Sequence, residues 1–292
     1  MKKTSMALSL LIMSTATFLM PAQAQQGNDQ VRIFNTVKTK LEAGLQVVGG
    51  TVSTSDPDIY CAMANAGYDF IWIEMQHSHL NYTDVARMIW ACKDAPAIPF
   101  IRVPDATEGD IQKATDIGAL GIIVPMVDTA EKMENAVKFA HYPPLGRRSQ
   151  GGGQYGAIWG RDYRQTANEN IMIIAMIETP EGVAAADEIA AVEGVDIVFI
   201  ASSDLSSFTG RRQGDPVYES LVDRIKNETE NAGKFIGGPS AWMTSREGYQ
   251  FFQGPGTSSL IRTGVRVTLG ADDPCRFVAS GTAPVQGEDP CP

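Results

Sequence analysis

Two carboxylates, Glu178 and Asp204, each follow an apolar β-type run, 171–177 and 195–200, and are separated by about one strand-helix repeat. In a parallel barrel that spacing puts both acids on one rim, where hard oxygen donors can hold a divalent cation. Another such run closes in Glu74-Met75-Gln76-His77-Ser78-His79, which brings one or two imidazoles to the same rim. The chain has only three histidines, so two at one strand end is a concentration. Imidazole titrates near neutrality and serves as general base or metal ligand. Arg102 ends the next run, 98–103, and its guanidinium offers paired donors to a planar carboxylate or a developing enolate oxygen while keeping its charge. Singly, each has a structural reading, a hydrogen-bonded His or a salt-bridged Arg. Together at neighbouring strand ends they point to a metal-dependent enzyme.

Positioning such groups requires repeated βα units. Strand-like runs at 45–50, 70–75, 98–103, 121–125, 171–177, 196–200, 234–237 and 259–263 alternate with amphipathic segments at 56–66, 82–93, 108–117, 129–140, 180–191, 216–232, 245–253 and 272–279. Eight strands with eight helices predict an α/β fold of the (β/α)₈ TIM-barrel type, whose chemistry is assembled from strand C-terminal ends. Pro180 falls in a first helical turn, where its missing N–H costs nothing. The long stretch from His141 to Asn170, with Pro143-Pro144, Arg147-Arg148 and Gly151-Gly152-Gly153, is expected to be an irregular loop, a lid or a subunit contact. Its glycines lack the Gly-Lys-Ser/Thr ending of a phosphate-binding loop.

The chain opens with Lys2, Lys3, an apolar stretch from Met6 to Met20 and then Ala22-Gln23-Ala24, the pattern of a secretory leader. Residues 1–24 are therefore expected to be a signal peptide, and 25–292 a single exported domain, periplasmic or secreted. No cysteine follows the small residues and the apolar stretch is short for a membrane span, so no stable membrane anchor is expected. With 24 basic against 34 acidic residues the formal charge is −10, unsuited to nucleic acid or an anionic membrane surface. Four cysteines in an oxidising compartment can pair; Cys61 with Cys92 and Cys275 with Cys291 are the expected bridges.

Several ordered motifs, Asp69–His77, Ile101–Pro104, Asp116–Val127, Tyr142–Arg147, Met176–Thr179 and Gly194–Ser206, resemble the HpcH/HpaI aldolase family over most of 34–270. The resemblance implies a class II pyruvate aldolase on a (β/α)₈ barrel, usually hexameric. It implies Mg²⁺ or Mn²⁺, with Co²⁺ or Zn²⁺ as further options, and a 2-keto acid and an aldehyde as substrates. By the same resemblance His77 falls at the general base, Glu74 at the acid that orients it and Arg102 at the residue binding the keto-acid oxygen. Glu178 and Asp204 fall at the metal ligands, and the backbone amides around Ala201 and Ser203 would hold the substrate carboxylate. This chain departs from the pattern at Glu74 and Gln76, where the family commonly has Asp and Glu, at Ala201-Ser202-Ser203, and at Gly264-Val265-Arg266, read as the counterpart of Gly-Val-Asp.

The residues themselves suit such a reaction, the cation and Arg102 stabilising an enolate while His77 takes the proton of a 4-hydroxyl. The rival Schiff-base route needs a lysine at a strand end, and Lys234 instead opens its strand. Two alternatives stand beside the aldolase: a metal-dependent hydrolase or lyase of another bond with His77 and His79 both as ligands, and an exported keto-acid-binding barrel with weakened turnover.

Overall fold

The computed structural model describes residues 31–270. Eight strands, β1 (Val47–Val52), β2 (Phe70–Glu74), β3 (Ile98–Arg102), β4 (Gly121–Val124), β5 (Met172–Ile177), β6 (Ile197–Ile200), β7 (Phe235–Pro239) and β8 (Phe251–Gly256), close into an all-parallel barrel in sequence order. All belong to the compact unit that begins at Arg32. Strands β2 to β6 are buried along their whole length, as strands covered by helices outside and packed against one another inside must be. That is why their sequences read as unbroken apolar runs rather than alternating ones.

Side chains that point inward occur at every second residue, and an aromatic layer fills the barrel's waist. Phe70 lies 4.5 Å from Phe251 and 4.9 Å from Phe100, centroid to centroid, and Trp72 lies 5.2 Å from Phe199. Two glycines make room for these rings: a Cβ on Gly49 would come within 2.1 Å of the Phe70 ring, and one on Gly121 within 2.1 Å of Phe100. Below this layer, the N-terminal rim is tied by Asn170, whose Oδ1 accepts from the backbone N–H groups of Phe34 (2.7 Å) and Asn35 (3.1 Å). Its Nδ2 donates to the carbonyls of Arg32 and Thr166. That rim is a stability device, which leaves the C-terminal rim for chemistry.

The expected helices at 56–66, 82–93, 108–117, 129–140 and 216–232 form as Pro57–Ala64, Tyr82–Ala91, Glu108–Asp116, Ala130–Ala140 and Pro216–Asn231. Pro180 stands in a first turn, capped by the Thr179 hydroxyl, but the helix expected over 180–191 breaks at Ala185 into Pro180–Ala184 and Ala186–Ala191. The stretch 141–170 is less irregular than expected, since Tyr155–Trp159 and Tyr163–Asn170 are helical. The helix expected at 272–279 and the bridge between Cys275 and Cys291 lie outside the described residues.

The last repeat corrects the sequence reading. Residues 259–263 are part of a helix, Thr257–Thr268, and the strand is Phe251–Gly256, within and beyond the helix expected over 245–253. Gly254-Pro255-Gly256 reads as a turn, but Pro255 is exposed near the strand's end, and the ladder with β1 shifts register between Gly49 and Thr51. A proline is tolerated where the ladder is already interrupted. Gly264-Val265-Arg266 accordingly sits on a helix rather than at a strand end, and Thr257 is the residue that leaves β8.

Cys61, within the helix Pro57–Ala64, and Cys92, which caps the C-terminus of the helix Tyr82–Ala91, are bridged, with their Cα atoms 5.5 Å apart. The closed loop, 31 residues in sequence separation, contains β2 and the turn that carries His77. Closing a loop of that length removes roughly 3–4 kcal/mol of chain entropy from the unfolded state. The double variant Cys61→Ser, Cys92→Ser is therefore expected to melt on the order of 10 °C lower by calorimetry. A melting temperature unchanged by the double substitution, or by reductant in the wild type, would contradict a structural role.

Candidate active site

Strand register brings the first pair of functional groups together. Glu74 and Arg102 end β2 and β3 opposite one another and both point inward. Arg102 Nε donates to Glu74 Oε2 at 2.5 Å, a second guanidinium nitrogen pairs with the same oxygen, and Trp72 Nε1 donates to it at 3.2 Å. The guanidinium also lies over the Trp72 ring, 5.6 Å from its centroid. The other oxygen, Oε1, accepts from the backbone N–H groups of Gln76 (2.8 Å) and His77 (2.9 Å). Both charges are buried and each is satisfied, which is the condition for tolerating them in the interior.

The resemblance puts Glu74 at the acid that orients the base, and in the structure its contacts are with the turn that carries His77 and with Arg102. Its two oxygens are committed to Arg102, to Trp72 and to the turn, so it fixes where the His77 backbone sits rather than bonding the imidazole. His77 and His79 are both exposed, and no hydrogen bond reaches either ring among the described residues. The third histidine, His141, is buried, with Nδ1 donating to the Val137 carbonyl (2.9 Å), and burial lowers its pKa. Gln76, where the family commonly has an acid, keeps a buried Oε1 without a partner.

Glu178 leaves β5 and is buried, while Asp204 lies half-buried in the first turn of the helix Ser202–Thr209 that follows β6. Glu178 accepts a short hydrogen bond from the backbone N–H of Met126. Met126 adopts φ = 52°, a left-handed conformation costing a residue with a side chain on the order of 1 kcal/mol or more, and strain of this kind collects at functional sites. Burial raises the Glu178 pKa to about 7, and the neighbouring Asp204 charge adds to the shift, against the Met126 N–H and the Arg102 charge. Two acids facing each other, one of them buried, gain most from a cation placed between them.

The donor set fits a hard divalent ion. Two carboxylates leave most of an octahedral shell to water and substrate, as Mg²⁺ and Mn²⁺ accept. Among the described residues no three of His, Cys, Asp and Glu come together, so of these residue types the two acids alone would serve an ion here. The proton and the ion compete for Glu178. Below pH about 7, cation affinity is therefore expected to fall with pH, approaching tenfold per unit. In the metal-free protein the sign runs the other way. A raised carboxyl pKa means the folded state holds the proton more tightly, so that contribution to stability is present below the model-compound value of 4.5 and is lost as pH rises through about 7. The gain in melting temperature on adding Mg²⁺ should then widen between those limits. A gain independent of pH would count against Glu178 as a ligand.

Arg102 and Asp204 line one cleft of about 150 Å³, together with Met176, Phe199, Ser202 and Gln253 among others. The start of the Ser202–Thr209 helix borders it, and a helix's first amides have no partners within the helix, so they are available to an anion. The Ala201 amide is an exception: it donates to the Ile177 carbonyl at 3.2 Å and continues the β6 ladder. Of the two residues whose amides are expected to hold the substrate carboxylate, Ala201 has its N–H engaged in the ladder, and Ser203 lies in the first turn of the helix. Sequence reading missed Met126, whose contribution is a backbone N–H, and Gln253, which the misplaced last strand concealed.

Residues 51–236 match the HpcH/HpaI aldolase/citrate lyase family. A hydroxypyruvate/pyruvate aldolase of Rhizorhabdus wittichii is 32% identical over 244 residues, which cover 80% of this chain and 97% of that protein. The crystal structure of an HpcH/HpaI aldolase from Desulfitobacterium hafniense superposes with a TM-score of 0.71 at 28% identity, covering 80% of this chain and 95% of that one. The citrate synthase SbnG superposes with a TM-score of 0.70 at 33% identity, covering 82% and 98%. With its closed eight-stranded barrel and this match, the chain belongs to the HpcH/HpaI aldolase/citrate lyase family and is, as an aldolase, a lyase.

Proposed function

We propose that the protein is a divalent-metal-dependent aldolase that cleaves or forms 4-hydroxy-2-keto acids through a pyruvate-type enolate. The observation that carries this reading is the meeting of Arg102 and Asp204, with Glu178 against Asp204, at a cleft of about 150 Å³. Glu178 and Asp204 would hold the ion, whose chemistry is to polarise the keto-acid carbonyl and lower the energy of negative charge on its oxygen. Arg102, held in place by Glu74, turns its remaining donors toward that oxygen. The amides from Ser202 onward receive the substrate carboxylate. His77, in the turn fixed by Glu74, accepts the proton of the 4-hydroxyl as the carbon–carbon bond breaks.

The partial reaction that tests this is exchange of the methyl protons of pyruvate with D₂O, followed by NMR with and without Mg²⁺ or Mn²⁺. It needs enolate formation but no aldehyde. Metal-dependent exchange is the expected result, together with retro-aldol release of pyruvate from a 4-hydroxy-2-keto acid. A keto acid that binds in the presence of metal while no proton exchanges would instead favour a binding barrel with weakened turnover, a reading supported by the unanchored His77 ring.

The same proposal extends to setting. Export, with residues 1–24 removed as a signal peptide, is supported by the bridge between Cys61 and Cys92, since stable disulfides belong to oxidising compartments. Among the described residues no helix is long and apolar enough to cross a membrane. A homo-oligomer, hexameric by resemblance, completes the reading and is decided by light scattering.

A further inference from the structure

Arg102 has two of its three guanidinium nitrogens on Glu74: Nε donates to Oε2 at 2.5 Å, and Nη2 pairs with the same oxygen. Among the described residues the third, Nη1, reaches only the thioether sulfur of Met176, 3.8 Å away. Met176 stands on β5 two residues before Glu178, is 1% exposed, and lines the cleft beside Arg102, Phe199 and Asp204. A thioether is a weak acceptor, so this buried cationic N–H has a soft partner that an incoming oxygen displaces easily. The sulfur is also the most readily oxidised group lining the cleft. Met133 and Met172 are as thoroughly buried but line no part of it. The cleft, about 150 Å³, corresponds to about five waters at ~30 Å³ each, and so admits a molecule as small as hydrogen peroxide.

We propose that Met176 is an oxidation site, and that hydroperoxides switch the cleft off by turning its thioether into a sulfoxide that captures Arg102. The effect on turnover rests on the aldolase reading above; the modification itself does not. A sulfur lone pair attacks one oxygen of the peroxide, and the S–O bond forms as the O–O bond breaks. The departing hydroxide takes up the proton of the transferred hydroxyl and leaves as water. Sulfur is oxidised by two electrons and the peroxide is reduced by two. Arg102, beside the sulfur, favours the step because it offers a donor to charge growing on the peroxide oxygens. The product oxygen is a strong acceptor, and the flexible methionine side chain lets it turn to Nη1 in a charge-assisted hydrogen bond. The donor that the enolate oxygen needs is then occupied from within the protein. Reduction of the sulfoxide restores the thioether, so the change is reversible.

The test treats the Mg²⁺-loaded protein with hydrogen peroxide and then removes the oxidant, because 2-keto acids are themselves consumed by peroxide. Oxygen uptake at each methionine is read by peptide mass spectrometry, and pyruvate proton exchange in D₂O by NMR. Met176 is expected to take up one oxygen while Met133 and Met172 take up none, and oxalate, an unreactive stand-in for the keto acid, should protect it. In the oxidised fraction kcat/KM for exchange should fall about ten- to a hundredfold, the cost of a competing hydrogen bond to a charged group. Met176→Leu, similar in volume and without sulfur, should keep its own untreated rate after the same exposure. Met176 left unmodified once the half-buried Met243 is fully oxidised, or exchange lost as steeply in Met176→Leu, overturns the proposal. Should the leucine variant not fold, the wild type decides alone, since a loss of exchange that fails to track the fraction of Met176 sulfoxide overturns it equally. A wild type that exchanges no protons before treatment overturns the aldolase reading, and the modification is then decided by its mass and by weakened Mg²⁺-dependent binding of oxalate.

Discussion

Glu178→Gln is expected to lower metal-dependent turnover by at least about 10³-fold, because the charge stabilisation a bound ion supplies amounts to several kcal/mol and each 1.36 kcal/mol is a factor of ten. Asp204→Asn should do the same. The fold should survive both changes, for a physical reason visible in the metal-free site. Burial and the Asp204 charge already push the Glu178 carboxyl up to about 7, so removing either negative charge relieves a conflict. A glutamine at 178 still presents an oxygen to the Met126 N–H. Melting temperatures without metal should therefore be no lower than wild type, while Mn²⁺ affinity, read by calorimetry or by the electron paramagnetic resonance of the free ion, should collapse. Normal Mn²⁺ binding in either variant would remove that residue from the site.

Arg102→Lys is expected to cost about 10²–10³-fold in pyruvate proton exchange, the range for loss of a preorganised donor at a developing oxyanion. Lysine keeps the charge but not the planar fork, and it cannot at once reach Glu74 Oε2 and aim a second donor at the cleft. His77→Ala should behave differently, slowing retro-aldol cleavage ~10²–10⁴-fold, the usual cost of a lost general base, with pyruvate binding retained. The contrast between the two profiles is the informative result. Exchange at the wild-type rate in Arg102→Lys would make Arg102 a structural partner of Glu74 and leave the enolate to the ion alone.

Most of the barrel was legible because strands buried on both faces are written as continuous apolar runs, and Phe70–Glu74 or Met172–Ile177 can be read directly. Strand β8 was not, since Gly254-Pro255-Gly256 carries turn chemistry and only the register shift against β1 explains how it remains a strand. Glu178, Asp204 and Arg102 could be chosen from their places after apolar runs. Which groups touch was a different matter. The pairing of Glu74 with Arg102 follows from the ladder between β2 and β3, a property of two segments that neither sequence displays alone. The Met126 N–H and the Ala201 amide are backbone groups, and no residue identity announces where a backbone donor will aim.

Glu74 also has a consequence for how such a protein can change. The turn bearing His77 and the guanidinium of Arg102 hang from opposite oxygens of one carboxylate, so their separation is set by a rigid planar group rather than by the loop. Residues beyond the turn, from Ser78 toward the next helix, are released from keeping base and cation in alignment. New acceptor aldehydes can then be explored by altering loop tips while the reacting geometry is inherited intact, and exchanging Glu74 for the shorter Asp common in the family would require the turn or the guanidinium to move for both contacts to be kept.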